Sequence, residues 1–69
     1  MSYKVILESI EYKENKNNTL PTTYETIVDV DNEQEAFLCT IDKINEETQC
    51  SVDCAVIVSI INLQEVNDE

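Results

Sequence analysis

Residues 54–61 read CAVIVSII, a nearly unbroken run of β-branched and aliphatic side chains. Such a run is a strand that needs cover on both faces. The whole chain has 69 residues. A domain of that size hides only roughly 60% of the surface its unfolded chain exposes, so one small core has to provide the cover. Residues 1–69 are therefore read as a single domain, with no room for a second.

Two further strands and a helix precede this run. Residues 3–12, YKVILESIEY, are rich in strand-forming types, and strict alternation puts Val5 and Leu7 on one face and Ile6 and Ile10 on the other. Residues 13–21, KENKNNTLP, lose all periodicity and read as a polar loop. The chain contains no Gly, so a left-handed backbone position is expected at Asn or Asp, with Asn15, Asn17 and Asn18 the natural places. Residues 22–30, TTYETIVDV, alternate Tyr24, Thr26, Val28 and Val30 against Thr23, Glu25, Ile27 and Asp29, an apolar face against an acidic one.

Asp31 then reads as a helix N-cap with Gln34 three places on, and Glu33 and Glu35 suit the positive end of the helix dipole. Phe37, Leu38, Ile41 and Ile44 fall in one arc of this helix, with Glu35, Asp42 and Glu46 nearly opposite. The pattern fades over Glu46–Gln49, where consecutive Glu oppose the dipole. The final strand covers residues 54–61 and continues with alternating character through Val66, ahead of a polar tail at 67–69.

The order strand, strand, helix, strand gives an α+β fold, β-β-α-β. Its mostly antiparallel three-stranded sheet has order 2-1-3, with one amphipathic helix on one face, reached by a right-handed crossover. One helix covers one face. Ile6, Ile10, Ile27 and half of residues 56–61 are left on the other, so a homodimer is expected, packed sheet to sheet or edge to edge, with Ile6, Ile10 and Ile27 at its interface.

Several function classes are disfavoured. With no His, the Ser and Cys residues lack the usual base, so an enzyme is not expected. With no Gly and no Arg, neither a phosphate-binding loop nor a phosphate clamp can be built, and no cofactor is expected. The three Cys (Cys39, Cys50, Cys54) read as free thiols; a zinc site would need a carboxylate such as Asp53 as fourth ligand, and Cys50 and Cys54 are too far apart on an extended strand. The acids from Asp29 to Glu35 imitate a calcium loop but lack its Gly and end on Thr40 instead of Glu, so they read as strand end and helix cap. No apolar run is long enough to span a membrane and the start does not read as a signal peptide, which makes the cytoplasm the expected compartment.

Charge is the most informative feature that remains. The net charge is −11, from 15 Asp and Glu against 4 Lys. Lys4, Lys13 and Lys16 balance Glu8, Glu11 and Glu14, so the excess sits after residue 16, where Lys43 is the only cation. Such a chain repels nucleic acid. Asp42 and Glu46, one turn apart on a helix and ~6 Å along its axis, repeat the spacing of phosphates on a DNA strand. Glu25, Asp29, Glu35, Asp42, Glu46 and Glu47 are the candidate contacts to a basic nucleic-acid-binding protein, a nuclease or defence effector, whose groove they would occupy by charge mimicry. In size and charge, without a shared motif, the chain resembles the accessory inhibitors carried by phages and mobile elements, including anti-CRISPR and anti-restriction proteins. The alternative is an assembly module that associates through its uncovered apolar sheet face, its acids only solvating it.

Overall fold

A computed structural model describes residues 1–13 and 20–63. Four elements follow in the order β1 (Ser2–Tyr12), β2 (Tyr24–Asp29), α1 (Glu33–Thr48) and β3 (Val52–Asn62). The sheet has order β2-β1-β3, with β1 antiparallel to both neighbours. This is the α+β arrangement expected from the sequence. Asn15, Asn17 and Asn18, the expected left-handed positions, lie outside the described residues, as do Gln64, Glu65, Val66 and the tail at 67–69. β3 starts two residues earlier than the apolar run and closes at Asn62.

The core lies between the sheet and α1. β1, in the middle of the sheet, supplies Tyr3, Val5, Leu7, Ile10 and Tyr12; β2 adds Val28, and the helix adds Ala36 and Ile44. Fully burying one Leu or Ile side chain contributes about 1.5–3 kcal/mol, so these few residues hold most of the fold. On β2 the alternation holds as read: Val28 is buried and Tyr24 and Thr26 half-buried, while Glu25, Ile27 and Asp29 are exposed.

On β1 the alternation breaks, and the expectation for Ile10 is overturned. Ile10 is 3% exposed and packs in the core on the same face as Leu7, not beside Ile6. The cause is a bulge. Glu8 pairs with Val56 and Glu11 with Cys54, so Ser9 and Ile10 together face the single residue Ala55. Ser9 stands in the left-handed region at φ 52, and the extra residue exchanges the two faces of the strand beyond it. Two compensating irregularities fall on β3, where Val58 and Asp53 have no partner on β1.

The helix also departs from its expected register. Its N-cap is Asn32, not Asp31: the Asn32 backbone is extended, and its Oδ1 accepts the Glu35 N–H at 2.9 Å. The stripe against the sheet is Ala36, Thr40 and Ile44, flanked by half-buried Phe37 and Ile41. Small Ala36 and Thr40 let the helix approach the sheet closely, and the Thr40 hydroxyl, fully buried, donates to the Ala36 carbonyl at 2.8 Å. Leu38, expected in the buried arc, is 53% exposed, whereas Cys39, next to it, is half-buried against the core.

The helix ends at Thr48, followed by Gln49 in the left-handed region at φ 59. Among the described residues the left-handed positions are thus Ser9 and Gln49, not Asn or Asp. Three contacts close the turn into β3: Gln49 N–H to the Asn45 carbonyl at 2.8 Å, Val52 N–H to Asn45 Oδ1 at 3.1 Å and Cys50 N–H to Thr48 Oγ1 at 3.2 Å.

Candidate functional site

The six candidate acids do not form one surface. Glu35, Asp42 and Glu46 lie on the outer face of α1, with Leu38 among them, at intervals of three, four and four residues. Those intervals make one stripe on a helix, ~16 Å long from Glu35 to Glu46 at 1.5 Å per residue. All four side chains belong to exposed residues. The sequence pattern identified the acids of this stripe but missed Leu38. Placing the helix by its small residues Ala36 and Thr40 rather than by Leu38 itself would have found it.

Glu47 sits on the flank of the helix toward β2, where its Oε2 accepts the Tyr24 hydroxyl at 2.9 Å. The phenol of Tyr24 titrates above its ordinary 10.0, first because it is partly removed from water, then because the Glu47 carboxylate bonds and faces it.

Glu25 and Asp29 lie on the opposite side of the molecule, on the sheet face that α1 leaves open, and both are neutralised. Lys4 Nζ is 3.0 Å from Glu25 Oε2, a pair diagonal across the β1–β2 ladder, and the Met1 ammonium is 3.0 Å from Asp29 Oδ1. These exposed pairs add little stability, ~0–1 kcal/mol each, but they cancel the charge locally. Among the described residues, neither ion pair involves an acid of α1.

The open face is apolar only in part. Ile6 is half-buried and Ile27 exposed, in line with their expected orientation, and Ile10 is absent from this face. Lys4, Glu8 and Glu11 run down its centre on β1. The exposed large apolar residues instead concentrate on β3, at Val56, Ile57, Val58 and Ile61, each about half exposed.

Two smaller features have no evident chemistry. Glu11, Asp53 and Cys54 bring their ligand atoms within 4.8 Å of one another, all at exposed residues. The Cys54 thiol donates to Glu11 Oε1 at 3.5 Å, and this bond, with the nearby negative charge of Glu11 and Asp53, raises its pKa. A cavity of about 210 Å³ is lined by Lys13, Gln49, Cys50 and Ser51, below the ~300 Å³ at which ligand pockets usually begin. The three thiols are unpaired.

No family model, curated protein or solved structure matches this chain. Two surfaces stand out among the described residues, the acidic outer stripe of α1 and the apolar margin on β3. No helix among the described residues is long and apolar enough to cross a membrane.

Proposed function

We propose that this protein is a non-enzymatic inhibitor or regulator that binds a basic, nucleic-acid-binding protein, a nuclease or defence effector, through the outer face of α1. One observation carries the reading: Glu35, Asp42 and Glu46 form an exposed stripe on a rigid helix with no cation paired to them among the described residues, whereas Glu25 and Asp29 are each neutralised by one. A net charge of −11 steers such a surface toward a cationic groove over long range. Leu38 gives the stripe an apolar contact at its centre with charge around it, the usual layout of a binding patch. The chain's likeness in size and charge to the anti-CRISPR and anti-restriction inhibitors of phages and mobile elements supports the same reading, with the cytoplasm of a host cell as the place of action.

The test is competition. The protein, immobilised in a host lysate at low and high salt, should retain a nuclease or other nucleic-acid-binding protein at low salt and lose it at high salt. Duplex DNA should displace the partner. The double variant Asp42→Lys, Glu46→Lys should bind at least tenfold more weakly, about 1.4 kcal/mol or more. Retention indifferent to salt, DNA and this variant would move the function elsewhere.

A second reading, an assembly module, is favoured by the exposed apolar side chains of Ile27 and β3. Association of that kind holds or strengthens as salt rises, opposite to the acid-driven contact.

A further inference from the structure

The two edges of the sheet are protected very differently. β2 is six residues long and carries Glu25 and Asp29, each held in an ion pair. β3 is eleven residues long, and from Cys54 to Asn62 it has no charged residue and no Pro. Charge, Pro, shortness and bulges are the usual devices that stop an edge strand from recruiting another strand; β3 has only Asp53 at its start and its two register shifts. Among the described residues no further strand lies beyond β3, and Val56, Ile57, Val58 and Ile61 stand exposed along it.

We propose that the outer edge of β3, along Cys54–Ile61, pairs antiparallel with the same stretch of a second copy, joining the two sheets into one of six strands, β2-β1-β3-β3-β1-β2. Charge selects this occupant. Each copy carries −11, so contact through most of its surface sets acid against acid, and β3 is the long stretch where only Asp53 is charged. A basic partner is drawn to the acids and gains nothing from a neutral edge. Stacking two open faces is disfavoured, because Glu8 and Glu11 at the centre of that face on β1 would be pressed against their twins. Antiparallel edge pairing is self-complementary: each strand satisfies the other's backbone groups, and the apolar side chains of one copy flank those of its twin.

The geometry has a consequence for the acidic stripe. The twofold axis of an antiparallel edge pair runs normal to the sheet, so each copy keeps its faces and both α1 helices lie on the same side. The assembly presents two acidic stripes to one partner surface. This inference stands apart from the basic-partner reading, and salt separates the two: screening relieves repulsion between like copies and strengthens the dimer while weakening an acid-to-base contact.

The test is sedimentation of the full chain from tens of micromolar to millimolar, with backbone amide hydrogen exchange at both ends of the range. Expected are a mass twice 7.9 kDa at the upper end and amide protection that rises with concentration on β3 and not on β2. Val58→Lys should weaken association at least tenfold, although it lowers the net negative charge; Ile27→Lys, at the far edge and with the same change of charge, should not weaken it. A monomer throughout overturns the proposal. So does a dimer disrupted by Ile27→Lys and not by Val58→Lys, or one whose added protection falls outside β3. The exchange measurement uses the natural chain and decides the matter even if Val58→Lys fails to fold.

Discussion

Leu7 and Ile10, three residues apart on one strand, point into the same core. A regular strand would set them on opposite faces, and the bulge at Ser9 is what joins them. The arrangement lets β1 deliver two more core residues, Ile10 and Tyr12, beneath the cover of α1. It also removes Ile10 from the open face, which leaves that face too polar to serve as a broad apolar interface.

Ile10 and Ile27 should therefore answer very differently to truncation. Ile10→Ala should cost about 3 kcal/mol, a large part of the ~3–10 kcal/mol expected for a domain of this size. Ile27→Ala, at an exposed position, should stay within about 0.5 kcal/mol in the monomer. Urea unfolding at low protein concentration measures both. Equal losses would mean that Ile10 is not in the core.

The left-handed positions give a gain instead of a loss. Ser9 and Gln49 hold positive φ with a side chain in place, at a cost of about 1–2 kcal/mol each relative to Gly. Gln49→Gly should stabilise the helix end by about 1 kcal/mol, and Ser9→Gly should do the same for the bulge, after allowing for the greater freedom of Gly in the unfolded chain. Rises in the urea midpoint, with an unchanged slope, are the expected readout.

These positions also show where the sequence was legible. In residues 22–30 period two runs unbroken, and the faces of β2 follow from it directly. In β1 the bulge residue is Ser and not Gly, so nothing local announces the exchange of faces, and counting by twos placed Ile10 wrongly. On α1 the acids were correctly seen as a stripe, but Leu38 drew the buried arc toward itself because hydrophobicity outweighs the smallness of Ala36 and Thr40. The separation of Glu25 and Asp29 from the helix acids follows from which sheet face the helix covers. Their neutralisation does not follow from pattern at all: it depends on the register that sets Lys4 diagonally opposite Glu25.

The N-cap allows a direct check of the helix start. Asn32 Oδ1 accepts the Glu35 N–H, and the Ala36 N–H bonds the Asn32 carbonyl at 3.0 Å. Asn32→Ala should cost about 1 kcal/mol. Asp31→Ala, one residue outside the helix, should change stability by less than about 0.5 kcal/mol. The reverse order would place the cap at Asp31.

Stability should fall in alkali, and two tyrosines set the direction. Tyr12 and Tyr24 both titrate above the ordinary 10.0; removal from water is the first cause in each, with the charge of Cys50 acting on Tyr12 and the bond and charge of Glu47 acting on Tyr24. The Tyr12 hydroxyl donates to the Pro21 carbonyl at 2.6 Å, a bond the phenolate cannot make. A pKa raised in the folded state means that the neutral form is favoured there. The associated stability is fully present below 10.0 and is lost as pH rises through the folded value. Glu47→Gln should lower the Tyr24 pKa, and Tyr24→Phe should flatten part of the alkaline loss, as read by tyrosinate absorbance and by urea unfolding at stepped pH. An unmoved titration in Glu47→Gln would break the assigned link.

Cys54 joins high exposure to low reactivity, and the two can be separated. Its thiol is open to solvent, so access does not limit alkylation, but the bond to Glu11 and the charge of Glu11 and Asp53 keep it protonated. The thiolate is the reacting species, so at neutral pH alkylation should be slower than at an unperturbed exposed thiol. Glu11→Gln removes the charge and lets the amide donate to the thiolate, and the rate at Cys54 should rise severalfold. Cys39 and Cys50 are half-buried, and the bond to Glu11 belongs to Cys54, so peptide-resolved mass spectrometry should show their rates changing less than that of Cys54. Because the thiol lies on β3, the same experiment repeated at rising protein concentration reports on the edge. Slower alkylation of Cys54 in the associated state, in the natural chain and in Glu11→Gln alike, is what strand pairing beside it requires, whereas a rate independent of concentration in a protein already shown to dimerise would place the interface away from β3.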